Sequence, residues 1–254
     1  MKGYRAFVKK EFMEQLRSYR MLILFSVFFL FGLMSPLTAK LLPDILSGID
    51  MQGMVITIPE PSAMDAYGQF FKNTTQMGIV VILLIFGGMI SNELTRATLV
   101  NILAKGLGRH TVILSKYTTA LILWTGALAF AGAVNQGYTM YLFDTSDIRN
   151  ILFSYFCLWL FGALLLALIL LSGVLAGGSF GGLILTAAVL AVLLLLNIFP
   201  TLEKLNPIYL TSHNVDLLSG SLQPADALWP VIITIGLIIG AIVASIALFR
   251  RKRI

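Results

Sequence analysis

Residues 91–116 read SNELTRATLVNILAKGLGRHTVILSK, a polar stretch with an apolar segment on either side. Four basic residues and one acidic residue lie in it, and each flank is long enough to cross a bilayer, which takes about 20 apolar residues. It is the longest polar segment between apolar segments on the side of the predicted membrane that carries the positive charge. The stretch therefore separates one set of membrane segments from the next.

The composition of the whole chain is that of an integral membrane protein. Of its 254 residues, 58% are hydrophobic and only 12% are charged, whereas about a quarter are charged in soluble proteins. Residues 150–202 carry no charge at all. The formal charge of +6 comes from basic residues at membrane edges, so it favours lipid headgroups over nucleic acid as partners. The single cysteine, Cys157, lies in an apolar run and cannot form an intramolecular disulfide.

The pattern predicts an all-α membrane domain over residues 21–254. Helices are expected because a bilayer offers no water, so the backbone N–H and C=O groups must form hydrogen bonds within their own segment. The predicted spans, each about 20 residues long, are 21–41, 71–91, 117–137, 151–171, 179–199 and 229–249. Lys72 stands at the start of the second span and is expected to snorkel to the boundary.

Residues 1–20 predict an amphipathic helix that lies in the membrane interface. Basic side chains occupy one side of this helix and apolar side chains the other. The apolar side chains recur at steps of three and four residues and are Tyr4, Val8, Phe12, Leu16 and Tyr19. Because twenty residues precede the first apolar run, the helix is expected to be retained and not cleaved as a signal peptide.

The distribution of charge predicts the orientation. If both termini are cytoplasmic, 14 of the basic residues lie inside and 4 outside, as the positive-inside rule requires. Two long outer loops then follow, at 42–70 and 200–228, and the second is expected to contain short helices. The glycine-rich connection at 172–182 predicts a tight hairpin, which serves either as a flexible hinge or for close approach of its two helices.

Chemical groups are scarce inside the predicted spans. Lys40 and Lys72 stand near span ends, and the spans hold no other charged side chain, which would be the usual marker of an ion pathway or of catalysis in a membrane. The strongest interior polar residues are Asn135, Gln136 and Asn197. Hydrogen bonding between helices is favoured for these three, and contact with a substrate remains open.

Motifs for ATP binding and hydrolysis are absent from the sequence. A P-loop requires G-x-x-x-x-G-K-[ST], and no Gly-Lys dipeptide occurs anywhere in the chain. H-E-x-x-H is also absent, and His110 and His213 fall on opposite sides of the predicted membrane. We therefore expect no enzyme activity, cofactor or metal in this chain, and any ATP-driven work would come from a partner.

The order of these parts resembles the permease subunit of an ABC-2 type transporter, the type II exporter arrangement. That family has a basic amphipathic lead-in helix, six spans, a conspicuous cytoplasmic segment after the second span and a structured outer loop after the fifth. The residues similar to the family pattern are Lys9–Phe12 and Arg17–Arg20 at the N-terminus, then Glu93–Leu99, Ile102–Lys105 and Arg109–Lys116. Ala97 stands where glycine is common, and Gly106-Leu107-Gly108 replaces a turn that usually contains proline.

The resemblance implies a coupling helix at Leu94–Ala104 that docks in a cleft of a separate ATPase subunit. The residues implied to contact the ATPase are Glu93, Leu94, Arg96, Thr98, Leu99, Ile102, Leu103 and Lys105. Leu99, Ile102 and Leu103 would supply the apolar contacts. The alternative is that this segment only extends the second and third spans into solvent.

The resemblance also implies the partners and the setting. Two copies of an ATPase would bind ATP and Mg²⁺, and a second permease, identical or a paralogue, would pair with this chain in a bacterial-type plasma membrane. The uncharged spans favour export of a hydrophobic or amphipathic substrate, such as a peptide, a lipid-like molecule or a drug. A secondary transporter and a membrane assembly factor without transport activity are the competing hypotheses.

Overall fold

The computed structural model describes residues 2–47, 60–95, 106–176, 178 and 180–252. Every regular element in these residues is helical, so the prediction of an all-α protein is confirmed for the described part of the chain. The helices are α1 (Lys2–Arg17), α2 (Arg20–Ser47), α3 (Ala63–Phe86), α4 (Ser91–Thr95), α5 (Arg109–Leu142), α6 (Ile151–Leu175), α7 (Gly181–Leu196), α8 (Pro200–Glu203), α9 (Tyr209–Ser212), α10 (Asn214–Ser219) and α11 (Leu228–Arg251), with a 3₁₀ turn at Pro224–Ala227.

Within the described ranges, five helical segments are long and apolar enough to cross a membrane. They are Arg20–Ile45, Ala63–Leu94, Arg109–Leu142, Ile151–Leu175 and Pro224–Arg251. The predicted span 179–199 corresponds to α7, which has 16 residues. At about 1.5 Å per residue, α7 is roughly 24 Å long, less than the ~30 Å hydrocarbon core. Five of the six predicted spans therefore have a helix of sufficient length. The remaining one, 179–199, stays a prediction.

The second predicted span differs most from its helix. α3 begins at Ala63, well before residue 71, because Ser62 and Asp65 cap its first turn reciprocally. The helix then ends at Phe86, inside the predicted span 71–91, and a turn leads to α4. A Cβ atom at Gly88 would meet the end of the Asn92 side chain, which would have to move to make room for it. The apolar composition of the segment gave no sign of this break.

Packing centres on α5, which lies against α1, α2, α3, α6 and α11. Trp124 of α5 is almost fully buried, and its indole N–H donates to Trp159 O on α6 at 3.0 Å. The Phe28 ring of α2 meets Trp124 edge-on, with ring centroids 5.4 Å apart. A Cβ atom at Gly162 would overlap the indole, so glycine lets α6 approach α5 closely.

The two connections singled out by sequence behave as expected where they are described. A Cβ atom at Gly182 of α7 would lie 3.0 Å from Gly173 Cα of α6, which confirms the close approach of these two helices. The segment 200–228 contains three short helices and a 3₁₀ turn, as predicted. Of these, α9 and α10 pack against α6.

Candidate functional site

A lysine of α5 is buried between carboxylates of α1 and α4. Lys116 Nζ lies 2.9 Å from Glu11 Oε2 and 3.0 Å from Glu93 Oε2. The side chains of Lys116 and Glu11 are 2% and 4% exposed, and that of Glu93 is 14% exposed. A buried ammonium is stable only when such partners replace its water. These ion pairs join three segments that are far apart in sequence.

A second lysine, Lys10, completes the group from the exposed side. Its Nζ lies 2.9 Å from Glu11 Oε1, 3.0 Å from Glu14 Oε2 and 3.3 Å from Glu93 Oε1. Both oxygens of Glu11 and both oxygens of Glu93 therefore face an ammonium. We call Lys10, Glu11, Glu14, Glu93 and Lys116 the charge cluster.

The charge cluster shifts the pKa values of its two partly exposed members, Lys10 and Glu14. Burial alone would lower the pKa of Lys10, but hydrogen bonding and charge attraction from Glu11 and its neighbours outweigh burial and raise the pKa above its ordinary 10.5. Burial would raise the pKa of Glu14, but the hydrogen bond and charge of Lys10 outweigh it and lower the pKa below its ordinary 4.5. Both side chains are therefore charged at neutral pH.

The buried face of α1 brings Glu11 to this position. Phe7, Glu11 and Gln15 are spaced by four residues, lie on one side of the helix and are all buried. Tyr4 on the same helix shares a 2.7 Å hydrogen bond with Thr118 of α5. The apolar side chains of Met13 and Leu16, near the C-terminal end of α1, are in contrast exposed. α1 therefore packs a carboxylate, and not only an apolar stripe, against the rest of the protein.

Glu93 and Lys116 stand near the two ends of the stretch 91–116. They meet because α4 follows α3 after the turn at Gly87–Ile90, while residues 109–116 form the first turns of α5. The two described ends of the stretch therefore lie next to each other. Six of the eight predicted contact residues lie in the part of the chain outside the described residues, namely Arg96, Thr98, Leu99, Ile102, Leu103 and Lys105. Of the other two, Glu93 belongs to the charge cluster and Leu94 packs against the core.

Arg109, at the start of α5, forms hydrogen bonds with the C-terminal end of α11. Its Nη1 donates to Phe249 O at 3.0 Å, to Arg250 O at 2.7 Å and to Lys252 O at 2.8 Å. The last carbonyls of a helix have no partner within the helix, so the guanidinium caps α11. Lys252 Nζ in turn donates to Val174 O near the end of α6, at 2.6 Å. The ends of α6 and α11 are thereby connected to the start of α5.

A cavity of about 360 Å³ lies beside the charge cluster, between α1, α4 and the start of α5. Oxygens of Glu11, Glu14 and Glu93 come within 4.8 Å of one another there, a spacing that could hold a metal ion. The ammonium of Lys10, however, lies within 3.3 Å of all three carboxylates. The two lysines already offset most of the charge of the three carboxylates, and this arrangement is that of a structural ion-pair network.

The three interior polar residues have different surroundings. Asn135 Nδ2 donates to Tyr155 Oη at 3.2 Å, and Gln136 Oε1 accepts from Tyr67 Oη at 2.7 Å, so both make the predicted bonds between helices. Asn197 lies at the C-terminal end of α7, and its Oδ1 is buried without a hydrogen-bond partner among the described residues. These residues are not part of the charge cluster.

Sequence reasoning did not select Glu11 or Lys116, the two most buried charges of the cluster. A signal was present for Glu11, which shares a helix face with Phe7 and Gln15. Lys116 directly precedes the apolar run that begins at Tyr117, which is the position of an ordinary boundary lysine. Its burial depends on α1 covering it.

No protein-family model matches this chain, and no curated protein matches its sequence. The candidate function therefore rests on the residues and their arrangement.

Proposed function

We propose that this chain is the transmembrane permease subunit of an ATP-driven ABC exporter of the ABC-2 type. The observation that carries the proposal is the buried pair of contacts from Lys116 to Glu11 and to Glu93. They hold both ends of the stretch 91–116 together and against α1. A segment held in this way passes force applied to its middle on to the helices that hold it.

These ion pairs explain how docking at one segment would move the whole membrane domain. Glu93 follows the second predicted span, Lys116 begins the third, and α1 leads within three residues into the first. Arg109 and Lys252 add the ends of α11 and α6. Force applied to residues 94–104 would therefore reach five of the long helices at one end, so these helices would move together.

The remaining parts of the proposal follow from the chain's own limits. Since it has no P-loop, ATP and Mg²⁺ would bind to a separate ATPase subunit, present in two copies. A second permease would complete the pathway, and the substrate would be hydrophobic or amphipathic because the spans hold almost no charge. The 14-to-4 division of basic residues supports cytoplasmic termini, and the family resemblance implies a bacterial-type plasma membrane.

The test is ATP hydrolysis by the isolated chain and by its native complex. The tagged chain is purified from its own membranes in a mild detergent, and then again after the complex has been dissociated. We expect ATP hydrolysis only before dissociation, together with a co-purified polypeptide that contains G-x-x-x-x-G-K-[ST]. Hydrolysis that remains with the isolated chain, or a native preparation with neither activity nor such a polypeptide, contradicts the proposal.

A further inference from the structure

A lateral groove of about 490 Å³ separates α5 from α6. Small residues of α5 form one wall, including Ala129, Gly132 and Ala133, and aromatic residues of α6 form the other, including Tyr155 and Trp159. Ala129 and Ala133 are exposed, so the groove is open along its side. A Cβ atom at Gly132 would lie 3.0 Å from the Tyr155 ring, so glycine lets α5 lie close to that ring without displacing it.

The surroundings of the groove determine what can fill it. Both α5 and α6 are long and apolar enough to cross a membrane, and the groove lies between them. In a bilayer its open side faces hydrocarbon. An unfilled apolar groove loses the dispersion contacts of its walls, whereas a flexible hydrocarbon chain restores them. The walls therefore favour an acyl chain.

The length of the groove matches one leaflet. Along α5 it extends from Thr125 to Gln136, eleven residues or about 16 Å at 1.5 Å per residue. This is about half of the ~30 Å hydrocarbon core. Gln136 and Ile151 line the end nearest the α5–α6 connection, and a 2.9 Å hydrogen bond from Trp159 Nε1 to Thr125 Oγ1 lies at the other end. The groove thus spans the leaflet on the side of that connection.

Gln136 supplies a hydrogen-bond donor at the top of the groove. Its Oε1 is occupied by the Tyr67 hydroxyl at 2.7 Å, and no described residue accepts from its Nε2. An amide donor at membrane depth is costly unless it is paired. Residue 136 lies at the end of the predicted span 117–137, which is the depth at which an acyl chain meets its ester carbonyl. That carbonyl is an acceptor and has no donor of its own.

We infer that the groove binds one ester-linked acyl chain of a glycerophospholipid, and that Gln136 Nε2 donates to its ester carbonyl. The leaflet is the one on the side of the α5–α6 connection. The inference requires only that α5 and α6 lie in a bilayer. It stands or falls independently of the proposed transport function.

The test measures lipid binding to the delipidated full-length chain by native mass spectrometry. Phosphatidylcholine with two ester-linked chains is compared with its diether analogue, which lacks the carbonyls. One hydrogen bond contributes about 0.5–1.5 kcal/mol, so we expect the wild type to bind the diester about two- to tenfold more tightly. Gln136→Leu should bind the two lipids equally. Equal binding of both lipids to the wild type contradicts the inferred hydrogen bond.

A second variant tests the groove itself. Ala133→Phe places a ring in the open groove and should abolish binding of the tightly held lipid, while Ala187→Phe on the exposed face of α7 should leave it unchanged. Ala129→Leu fills the same groove with a smaller side chain and serves if Ala133→Phe lowers the yield of folded protein. Unchanged lipid binding in the groove variants contradicts the site. A change from dimer to monomer without loss of lipid would assign the groove to a second copy of the chain and also overturn the inference.

Discussion

At Lys116 the cost of burying an ammonium is offset by two carboxylates, at 2.9 Å and 3.0 Å. Such a group contributes little net stability compared with well-packed apolar residues, but the loss of one member leaves charge buried without a partner. The geometry of the charge cluster therefore matters more than its energy. The geometry determines which segments are in contact. A substitution of any one member should therefore alter the ion pairs of the others.

Lys116→Met should lower the stability of the protein strongly, by about 3–5 kcal/mol, because Glu11 and Glu93 lose their buried cation. The measurement is the unfolding temperature of the purified protein in detergent. Lys9→Met, at an exposed position of α1, is the matched control and should have little effect. Adding Glu11→Gln and Glu93→Gln to Lys116→Met should recover much of the loss. Equal unfolding temperatures for Lys116→Met and Lys9→Met would contradict the role of the cluster.

Glu14 makes the docking of α1 sensitive to acid. Because its pKa is lowered in the folded protein, its contribution to stability is present above the ordinary value of 4.5 and is lost as the pH falls through the lower folded value. The difference in unfolding temperature between the wild type and Glu14→Gln should thus be largest at neutral pH and shrink in acid. Since Glu14 is about half exposed, the difference is expected to be small. A difference that stays constant down to low pH would contradict the ion pair with Lys10.

At the scale of elements, α1 is held to the rest of the protein through one face. This face carries Phe7, Glu11 and Gln15, and it meets the start of α5 and the region of α4. The link from α1 to α2 is tight, since Tyr19 adopts a positive φ of 58° between them. With this short link, α1 lies beside Glu93 and Lys116 at the two described ends of the stretch 91–116.

The coupling function of residues 94–104 stays a prediction, and a paired substitution tests it. Leu99→Asp with Ile102→Asp should prevent docking on the ATPase, because burying two new carboxylates costs several kcal/mol. Membrane abundance should be normal, since the spans are untouched. Co-purification of the ATPase and export are measured, with Asn101→Asp as a control for added charge. If the double variant retains the ATPase at wild-type stoichiometry, these residues are not the coupling element.

At the scale of the whole molecule, one end of the bundle is fastened and the other is covered by short helices. Arg109 caps α11 and the charge cluster ties α1, α4 and α5 at the first end. At the other end, α9 and α10 pack on α6, and Arg149 N donates to Leu218 O at 2.8 Å. The proposed orientation places the fastened end in the cytoplasm, where an ATPase could reach it.

The orientation can be tested by cysteine labelling in a Cys157→Ala background. Ser146 and Ser221 are exposed in the two connections at the proposed outer end, and Ser18 is exposed at the other end. Cysteines at 146 and 221 should react with an impermeant maleimide added to intact cells, and a cysteine at 18 should react only after the cells are opened. The reverse pattern would contradict both the orientation and the proposed contact with a cytoplasmic ATPase.

Several properties of this protein could be predicted from the sequence because they depend on local composition. The apolar runs predicted an all-α protein, and five of them correspond to helices long enough to cross a membrane. The glycines at 173 and 182 predicted a close approach of two helices, which requires only that no side chain intervenes. Asn135 and Gln136 were predicted to bond between helices for the same kind of reason, since an apolar surrounding leaves them few other partners.

Other properties were decided by the tertiary structure alone. Glu11 and Lys116 are 105 residues apart, and each resembles an ordinary charge at a membrane edge until α1 packs against α5. The break after Phe86 likewise depends on how the Gly87–Ile90 turn fits its neighbours, and the apolar pattern does not record it. Pairing of buried charges depends on which helices lie side by side, which is a property of the packed bundle and not of any one segment. For that reason the sequence predicted the membrane domain, and only the structure located the charge cluster that ties its helices together.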